Sequence, residues 1–293
     1  MQNIINGLPI AAVILLLAVG FAFLVKGADF FVEGSSSIAK KLKVPPIIIG
    51  LTIVAMGTSL PETAVSVTAS LVQNNELAVS NVVGSNIFNL MFVIGVCSIL
   101  TPIMVQKATV VRDIPLSLGC ALFLLVLGIS GLGDKTGMTL GHADGVIFLI
   151  VFAGYIFTMV RSAMKARAAG QKVEIEGVEE CDNMKELSYG KSILFLIVGA
   201  AAIAFGGDLT VDTASRIAIE LGMSQTLVGL TIVSIGTSLP ELVTSVVAAR
   251  KNEVDMAVGN AVGSNIFNIL MVLGISSAIS PVALIRENII DIV

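Results

Sequence analysis

Charge is scarce in this sequence. Only 13% of its 293 residues are Asp, Glu, Lys or Arg, while 55% are hydrophobic; a soluble domain carries roughly 25% charged residues. The mean hydropathy of +0.97 agrees, so most of the surface faces something other than water. The net charge of −4 is too small to point to nucleic acid. Cysteine is nearly absent. Cys97 and Cys120 lie in apolar runs, Cys181 lies in a polar stretch, and no CxxC occurs, so neither a disulfide framework nor a zinc site is indicated. The single histidine, His142, follows a glycine in a short polar connection and reads as a loop residue rather than a proton relay. The start, MQNIINGLP, lacks the basic n-region of a signal peptide. The apolar run behind it exceeds the roughly 20 residues that a bilayer span takes, and reads as a retained first span.

Similar apolar windows recur near 8–31, 44–72, 77–100, 113–131, 144–163, 189–213, 225–249 and 255–279. The connections are short except at 164–188, a charged stretch read as a central linker. With the N-terminus outside, the inside loops hold 13 of the 17 basic residues, including Lys40, Lys41, Lys43, Arg250 and Lys251. The outside loops hold only Lys135, Arg216 and Arg286, and Lys26 lies within the first span. This asymmetry predicts an inner (plasma) membrane protein with its N-terminus outside and its linker in the cytoplasm.

The strongest feature is an internal repeat. Residues 50–62 read GLTIVAMGTSLPE and residues 229–241 read GLTIVSIGTSLPE, eleven of thirteen positions matching at an offset of 179. The same offset aligns SNVVGSNIFNL (80–90) with GNAVGSNIFNI (259–269), Gly27 and Asp29 with Gly206 and Asp208, and Pro102 with Pro281. The chain therefore divides into a first repeat at 1–163, the linker at 164–188, and a second repeat at 189–293. Each unit begins a new set after five spans. Five is odd, so the second copy sits upside down in the membrane. The expected fold is an all-α polytopic membrane protein of two inverted five-helix repeats, an organisation that places a transport site near the midplane.

The repeated segments suit a cation. Gly57 and Pro61 disfavour a continuous helix, and proline removes an N–H and clashes with the preceding turn. A broken membrane helix frees carbonyls, tolerated only where protein or a water-filled cavity satisfies them; here these lie near Ala55 and Thr58. Thr58 and Ser59 add hydroxyls and Glu62 a charge; the second copy offers Ser234, Thr237, Ser238 and Glu241. An ionisable group inside a span is by default a functional candidate; the bland alternative is a protonated glutamate bonded to a neighbouring helix. In GSNIFN, Ser85 and Asn89 are four apart, as are Ser264 and Asn268, so each pair shares a helix face. Asn86 and Asn265 fall on another face, with backbone as their alternative partner. Gly84 and Gly263 serve either close helix packing or the site. Carboxylates, hydroxyls, amides and carbonyls are ligands for hard cations such as calcium and sodium. Two carboxylates neutralise one calcium ion or hold sodium ions, so a site that holds either in turn can exchange them by alternating access. The first and sixth spans, glycine-bearing and poor in large polar groups, are expected to slide across the site as gates.

The paired GTSLPE and GSNIFN motifs in inverted halves resemble the cation/calcium antiporter superfamily, and more narrowly its prokaryotic sodium/calcium exchanger family. The resemblance covers nearly the whole chain. It implies ten helices in two inverted sets of five around a central site. By motif position it makes Glu62 and Glu241 the acidic ligands. Thr58, Ser59, Ser85 and Asn89, with Thr237, Ser238, Ser264 and Asn268, become the other polar positions, while Ala55 and Ser234 ligate through backbone carbonyls. It implies no cofactor; the partners are calcium and sodium ions and the lipid bilayer, and the protein is expected to be a monomer. Asn268 stands where some relatives, potassium-dependent exchangers among them, carry aspartate, which argues against potassium cotransport. The 179 offset predicts partners for the spans at 113–131 and 144–163 near 292–310 and 323–342, beyond Val293; against the ten-helix pattern, the last two helices are missing from this chain.

Three rival functions remain open on sequence. A calcium/proton antiporter of the same superfamily usually carries a different motif around its acid and often intramembrane histidines. An intramembrane enzyme using Glu62 and Glu241 as acid and base lacks any nucleophile–base pair or metal triad. A channel would not need two inverted broken helices. The acidic linker, Glu174 to Glu186, reads as a solvated tether rather than a calcium sensor, because its spacing does not fit an EF-hand loop.

Overall fold

The computed structural model of the chain describes residue 5 and residues 7–71, 75–103, 105–107, 109–130, 138–168, 187–224, 228, 231–232 and 234–292. Helix α1 spans Ile10–Leu42. A bent pair follows, α2 (Pro46–Thr58) and α3 (Leu60–Leu71), then α4 (Leu77–Leu100), α5 (Thr109–Ile129), α6 (His142–Lys165) and α7 (Tyr189–Glu220). The second half continues with α8 (Ser234–Thr237), α9 (Leu239–Arg250), α10 (Val254–Ile279) and α11 (Arg286–Ile292). Among the described residues, α1, α4, α5, α6, α7 and α10 are long and apolar enough to cross a membrane, and α2 with α3 makes a further span bent by 47°. The span expected at 225–249 falls partly outside the described residues; its described part holds α8 and α9. Cys181 and the linker's acidic residues also lie outside them.

Helix α1 runs eleven residues past the expected end of the first span. The extension holds Ser35, Ser36 and Ser37, all buried. At Ser37 the start of α7 comes close: Ser192 Oγ donates to Ser37 Oγ at 3.0 Å, and Ser37 Oγ donates to the Leu187 carbonyl at 3.3 Å. The helix stops at Lys43, left-handed at φ 54°, with Lys40 and Lys41 in its last turn against the negative end of the helix dipole. Pro45 and Pro46 follow and cannot continue it. The only left-handed glycine of the described residues is Gly222, φ 92°, which ends α7 179 residues after Lys43.

Helices α1 and α7 pack along one another through glycine. A Cβ on Gly27 would lie 2.9 Å from the Ile203 nitrogen and 3.0 Å from the Gly199 carbonyl; one on Gly206 would lie 2.7 Å from the Leu24 nitrogen and 2.8 Å from the Gly20 carbonyl. Backbones this close gain dispersion contacts that lipid cannot supply. Phe23 meets Phe205 edge-on at 5.2 Å, and Phe30 meets Phe195 at 5.0 Å, flanking the seam.

Helix α10 is the centre of the bundle, with every residue from Met256 to Leu270 buried. It packs against α2, where Gly50 and Gly259 allow contact: a Cβ on Gly259 would stand 2.7 Å from the Ile47 carbonyl. Tyr155 of α6 braces the same region, its hydroxyl donating to the Leu51 carbonyl at 3.0 Å. A short antiparallel ribbon joins the halves, β1 (Thr139–Leu140) pairing with β2 (Val282–Ala283). His142, expected in a loop, is instead the first residue of α6, its ring Nδ1 3.0 Å from the Ala278 carbonyl; the polar connection is shorter than the sequence indicates because Asp144 accepts from the Gly141 N–H at 2.8 Å and starts the helix early.

Candidate functional site

Both copies of GTSLPE break their helix at the same serine. Ser59 (φ −83°, ψ 9°) separates α2 from α3, and Ser238 (φ −92°, ψ 5°) separates α8 from α9. The cause lies two residues on. Pro61 and Pro240 have no N–H to give and occupy the second position of the new helix, where that donor has no partner anyway. The glycines of the motif seat the two long helices: Phe31 of α1 lies against Gly57, and Val211 of α7 lies against Gly236.

The breaks bring Glu62 and Glu241 into the interior, each fully buried. The serine of each break reaches the glutamate of the other half. Ser59 Oγ donates to Glu241 Oε1 at 3.1 Å, and Ser238 Oγ donates to Glu62 Oε1 at 3.2 Å. Ser238 Oγ also bonds Ser85 Oγ at 3.0 Å, and Ser264 Oγ donates to Glu241 Oε1 at 3.4 Å. Reciprocity of this kind places the two halves about a pseudo-two-fold axis.

On α4 and α10 the helix widens at the motif. Wide π-type turns occupy Phe88–Val93 and Asn268–Val272, so the Ile94 N–H bonds the Asn89 carbonyl and the Leu273 N–H bonds the Asn268 carbonyl. Such turns are frequent at functional sites. Asn89 Nδ2 donates to Asn265 Oδ1 and Asn268 Nδ2 to Asn86 Oδ1, both at 3.1 Å. The side chains of Asn86 and Asn265 bond backbone, as their helix face indicates.

Thr58 is buried, its Oγ1 3.5 Å from Ser264 Oγ. Thr237 donates to Asn81 Oδ1 at 3.4 Å. The Ala55 carbonyl is not left free by the break: it accepts from the Ser59 N–H at 3.0 Å and lies 3.3 Å from Thr58 Oγ1. Ser234 begins α8, and its side chain lies outside the description. Gly263 serves packing, since a Cβ there would come within 2.8 Å of Leu51 Cα and of Ala55 Cβ.

Four further polar residues join the network: Asn81 with Ser66, and Asn260 with Ser245. Sequence reasoning passed over them, although all four obey the 179 offset and Asn81 and Asn260 stand one turn before Ser85 and Ser264 in the aligned strings.

Four buried side-chain oxygens at the centre have no hydrogen-bond partner: Glu62 Oε2, Glu241 Oε2, Asn89 Oδ1 and Asn268 Oδ1. They form two pairs related by the repeat. Buried oxygens without donors are costly, and a buried carboxyl group needs either a proton or compensating positive charge. All four are oxygens, the donor type that hard cations take.

The family model described as sodium/calcium exchanger protein matches residues 12–161 and 191–292. The chain is 36% identical over 269 residues to the inner membrane protein YrbG of Escherichia coli, covering 91% of this chain and 79% of that protein. It is 35% identical over 292 residues to the sodium/calcium exchanger MaX1 of Methanosarcina acetivorans, covering 92% and 83%. Its fold is similar to a solved structure of the sodium-calcium exchanger NCX_Mj, with a TM-score of 0.79, 32% identity, and coverage of 97% of this chain and 88% of that one.

Proposed function

As the chain belongs to the sodium/calcium exchanger protein family, a family of multi-pass membrane transporters and not of enzymes, we propose that it exchanges Ca2+ for Na+ by alternating access at a central site built on Glu62 and Glu241. The observation that carries this reading is the set of four unpartnered buried oxygens, one carboxylate and one amide from each half. Together they offer two negative charges and two neutral dipoles, enough to neutralise one calcium ion, which takes about six to eight oxygens at roughly 2.3–2.6 Å. Ser59, Ser85, Ser238, Ser264, Thr58 and Thr237 supply further oxygens around them, and the Ala55 and Ser234 carbonyls complete the set. Sodium, also a hard cation, uses the same oxygens in calcium's place.

The glycine seam makes α1 and α7 one paired element, and that pair lies across both GTSLPE glycines. In this reading the pair slides over the fixed site and opens it to each side in turn. Residues 1–163 and 189–293 act as the two inverted units, with the N-terminus outside and the 164–188 linker in the cytoplasm. MaX1 and NCX_Mj are named for sodium/calcium exchange, which supports sodium over protons as the counter-ion here.

Calcium-45 flux into vesicles holding the purified protein tests the reading, with sodium, potassium and proton gradients imposed separately. An outward sodium gradient should drive calcium uptake. Uptake driven by a pH gradient alone and indifferent to sodium would replace this reading with calcium/proton antiport.

A further inference from the structure

The carboxamide of Asn260, only 1% exposed, joins three segments. It accepts from Thr58 Oγ1 at 3.0 Å, donates to Ser245 Oγ at 2.9 Å, and donates to the Glu241 carbonyl at 3.3 Å. Thr58 closes the first half of the broken span, whereas Glu241 and Ser245 lie on the helix that follows the break in the second half. One side chain thus ties the two breaks together across the repeat interface. Its counterpart repeats the pattern: Asn81 Nδ2 donates to Ser66 Oγ at 3.1 Å, and Asn81 Oδ1 accepts from Thr237 Oγ1 at 3.4 Å. An amide suits this place because it presents an acceptor and two donors in one plane. Aspartate would lose the donors, and leucine would lose both functions.

The Thr58 hydroxyl has one hydrogen and several acceptors within reach: Asn260 Oδ1 at 3.0 Å, the Val54 carbonyl at 3.2 Å, the Ala55 carbonyl at 3.3 Å, Ser264 Oγ at 3.5 Å and the Glu241 carboxylate. Of the first four, Asn260 Oδ1 is the nearest. Where that hydrogen goes decides which oxygens are free for an ion. If Asn260 takes it, the Ala55 carbonyl keeps a lone pair free and the Thr58 oxygen turns its own lone pairs away from Asn260. If Asn260 is absent, the hydroxyl bonds back onto its own helix, the ordinary habit of a threonine in a helix, and the carbonyl is withdrawn.

We infer that Asn260, and Asn81 by the repeat, are positioning residues for the ion site: each orients the threonine hydroxyl of the opposite half so that the threonine oxygen and the carbonyl behind it can both face a cation. This inference rests on the calcium reading of the site. It assigns Asn260 a role through Thr58 rather than as a ligand.

The test is a double-mutant cycle on the full chain in detergent. Calcium-45 equilibrium binding and the melting temperature are measured for wild type, Asn260→Ala, Thr58→Val and the double variant. Asn260→Ala is expected to weaken calcium binding about tenfold or more, Thr58→Val by a comparable factor, and the double variant no further than the weaker-binding single. Thr58→Ser, which keeps the hydroxyl, is expected to bind calcium more tightly than Thr58→Val. A wild-type chain that binds no calcium would end the function proposed above. A wild type that binds calcium while Asn260→Ala binds it equally well, or singles whose effects multiply in the double, would overturn the positioning role and leave that function standing. Should Asn260→Ala not fold, the same cycle on Asn81 and Thr237 decides the matter, with the same outcomes counted for and against.

Discussion

Asn86 and Asn265 donate to each other's backbone: Asn86 Nδ2 to the Asn265 carbonyl at 3.3 Å, and Asn265 Nδ2 to the Asn86 carbonyl at 3.1 Å. The pseudo-two-fold axis passes between them. Each also supports an asparagine of the opposite half, since Asn86 Oδ1 accepts from Asn268 and Asn265 Oδ1 accepts from Asn89. Asn86→Ala removes two hydrogen bonds across the membrane interior. Such bonds average roughly 0.6 kcal/mol each, so the variant should lose about 1 kcal/mol of stability. Thermal unfolding in detergent measures it, and Asn265→Ala should show a matching loss.

Glu62→Gln and Glu241→Gln each remove one charge while keeping an oxygen able to accept from Ser238 or Ser59. Each should lower calcium affinity by about a hundredfold or more, a loss of roughly 2.8 kcal/mol, with the protein still inserted and folded. Calcium-45 binding and sodium-driven flux measure it; wild-type flux from either variant would remove the two-carboxylate site.

The repeat, the breaks at GTSLPE and the burial of Glu62 and Glu241 were legible because proline, glycine and an acid inside an apolar run are each unusual and all recur at one offset. Other features were hidden by ordinary residues. Ser35 to Ser37 look like a polar span end, yet all three are buried, Ser37 against the start of α7. The wide turns at Asn89 and Asn268 use residues that suit a regular helix equally well, so four-residue spacing alone could not reveal them. Asn81 and Asn260 stood in the aligned strings, but nothing local to them indicates partners 156 and 202 residues away. The ribbon between Thr139–Leu140 and Val282–Ala283 is a long-range pairing of two dipeptides, too short for any periodic signal.

Gly27→Leu should prevent α1 and α7 from closing, because even a Cβ would meet the Ile203 backbone at 2.9 Å. The expected result is loss of folded protein on size-exclusion chromatography. Gly119→Ala on α5 is the control: a Cβ there meets nothing within 4 Å, and the variant should fold as wild type.

Lys251, between α9 and α10, bridges to Asp29 of α1 at 3.2 Å and donates to its carbonyl at 3.0 Å. Both side chains are about a quarter to a third exposed, so the pair is worth up to about 1 kcal/mol. It ties the α1–α7 pair to the rest of the bundle. Lys251→Met should shift the balance of facing states by up to about fivefold. Labelling of single cysteines placed near the 43–45 connection measures the shift.

Glu253, in the same connection, has its carboxyl raised by burial and by Asp255, against the opposing pull of Ser36 and Lys40. A raised value in the folded state favours the protonated form. The stabilisation is complete below the ordinary carboxylate value of about 4.3 and is lost as pH rises through the raised value. Glu253→Gln should therefore match wild type near pH 4 and melt at a higher temperature at neutral pH, as a pH series of thermal unfolding curves will show.

The reciprocal asparagine bond has an ancestral consequence. Because position 86 and position 265 carry the same residue and make the same bond, two identical copies of one five-helix unit, inserted in opposite directions, could have formed it before any fusion. In such an assembly every substitution would strike both sides of the membrane at once. A single chain is free of that constraint: Lys251 has Val72 at the matching position of the first half, so a tie to the long helix can exist on one side without its twin.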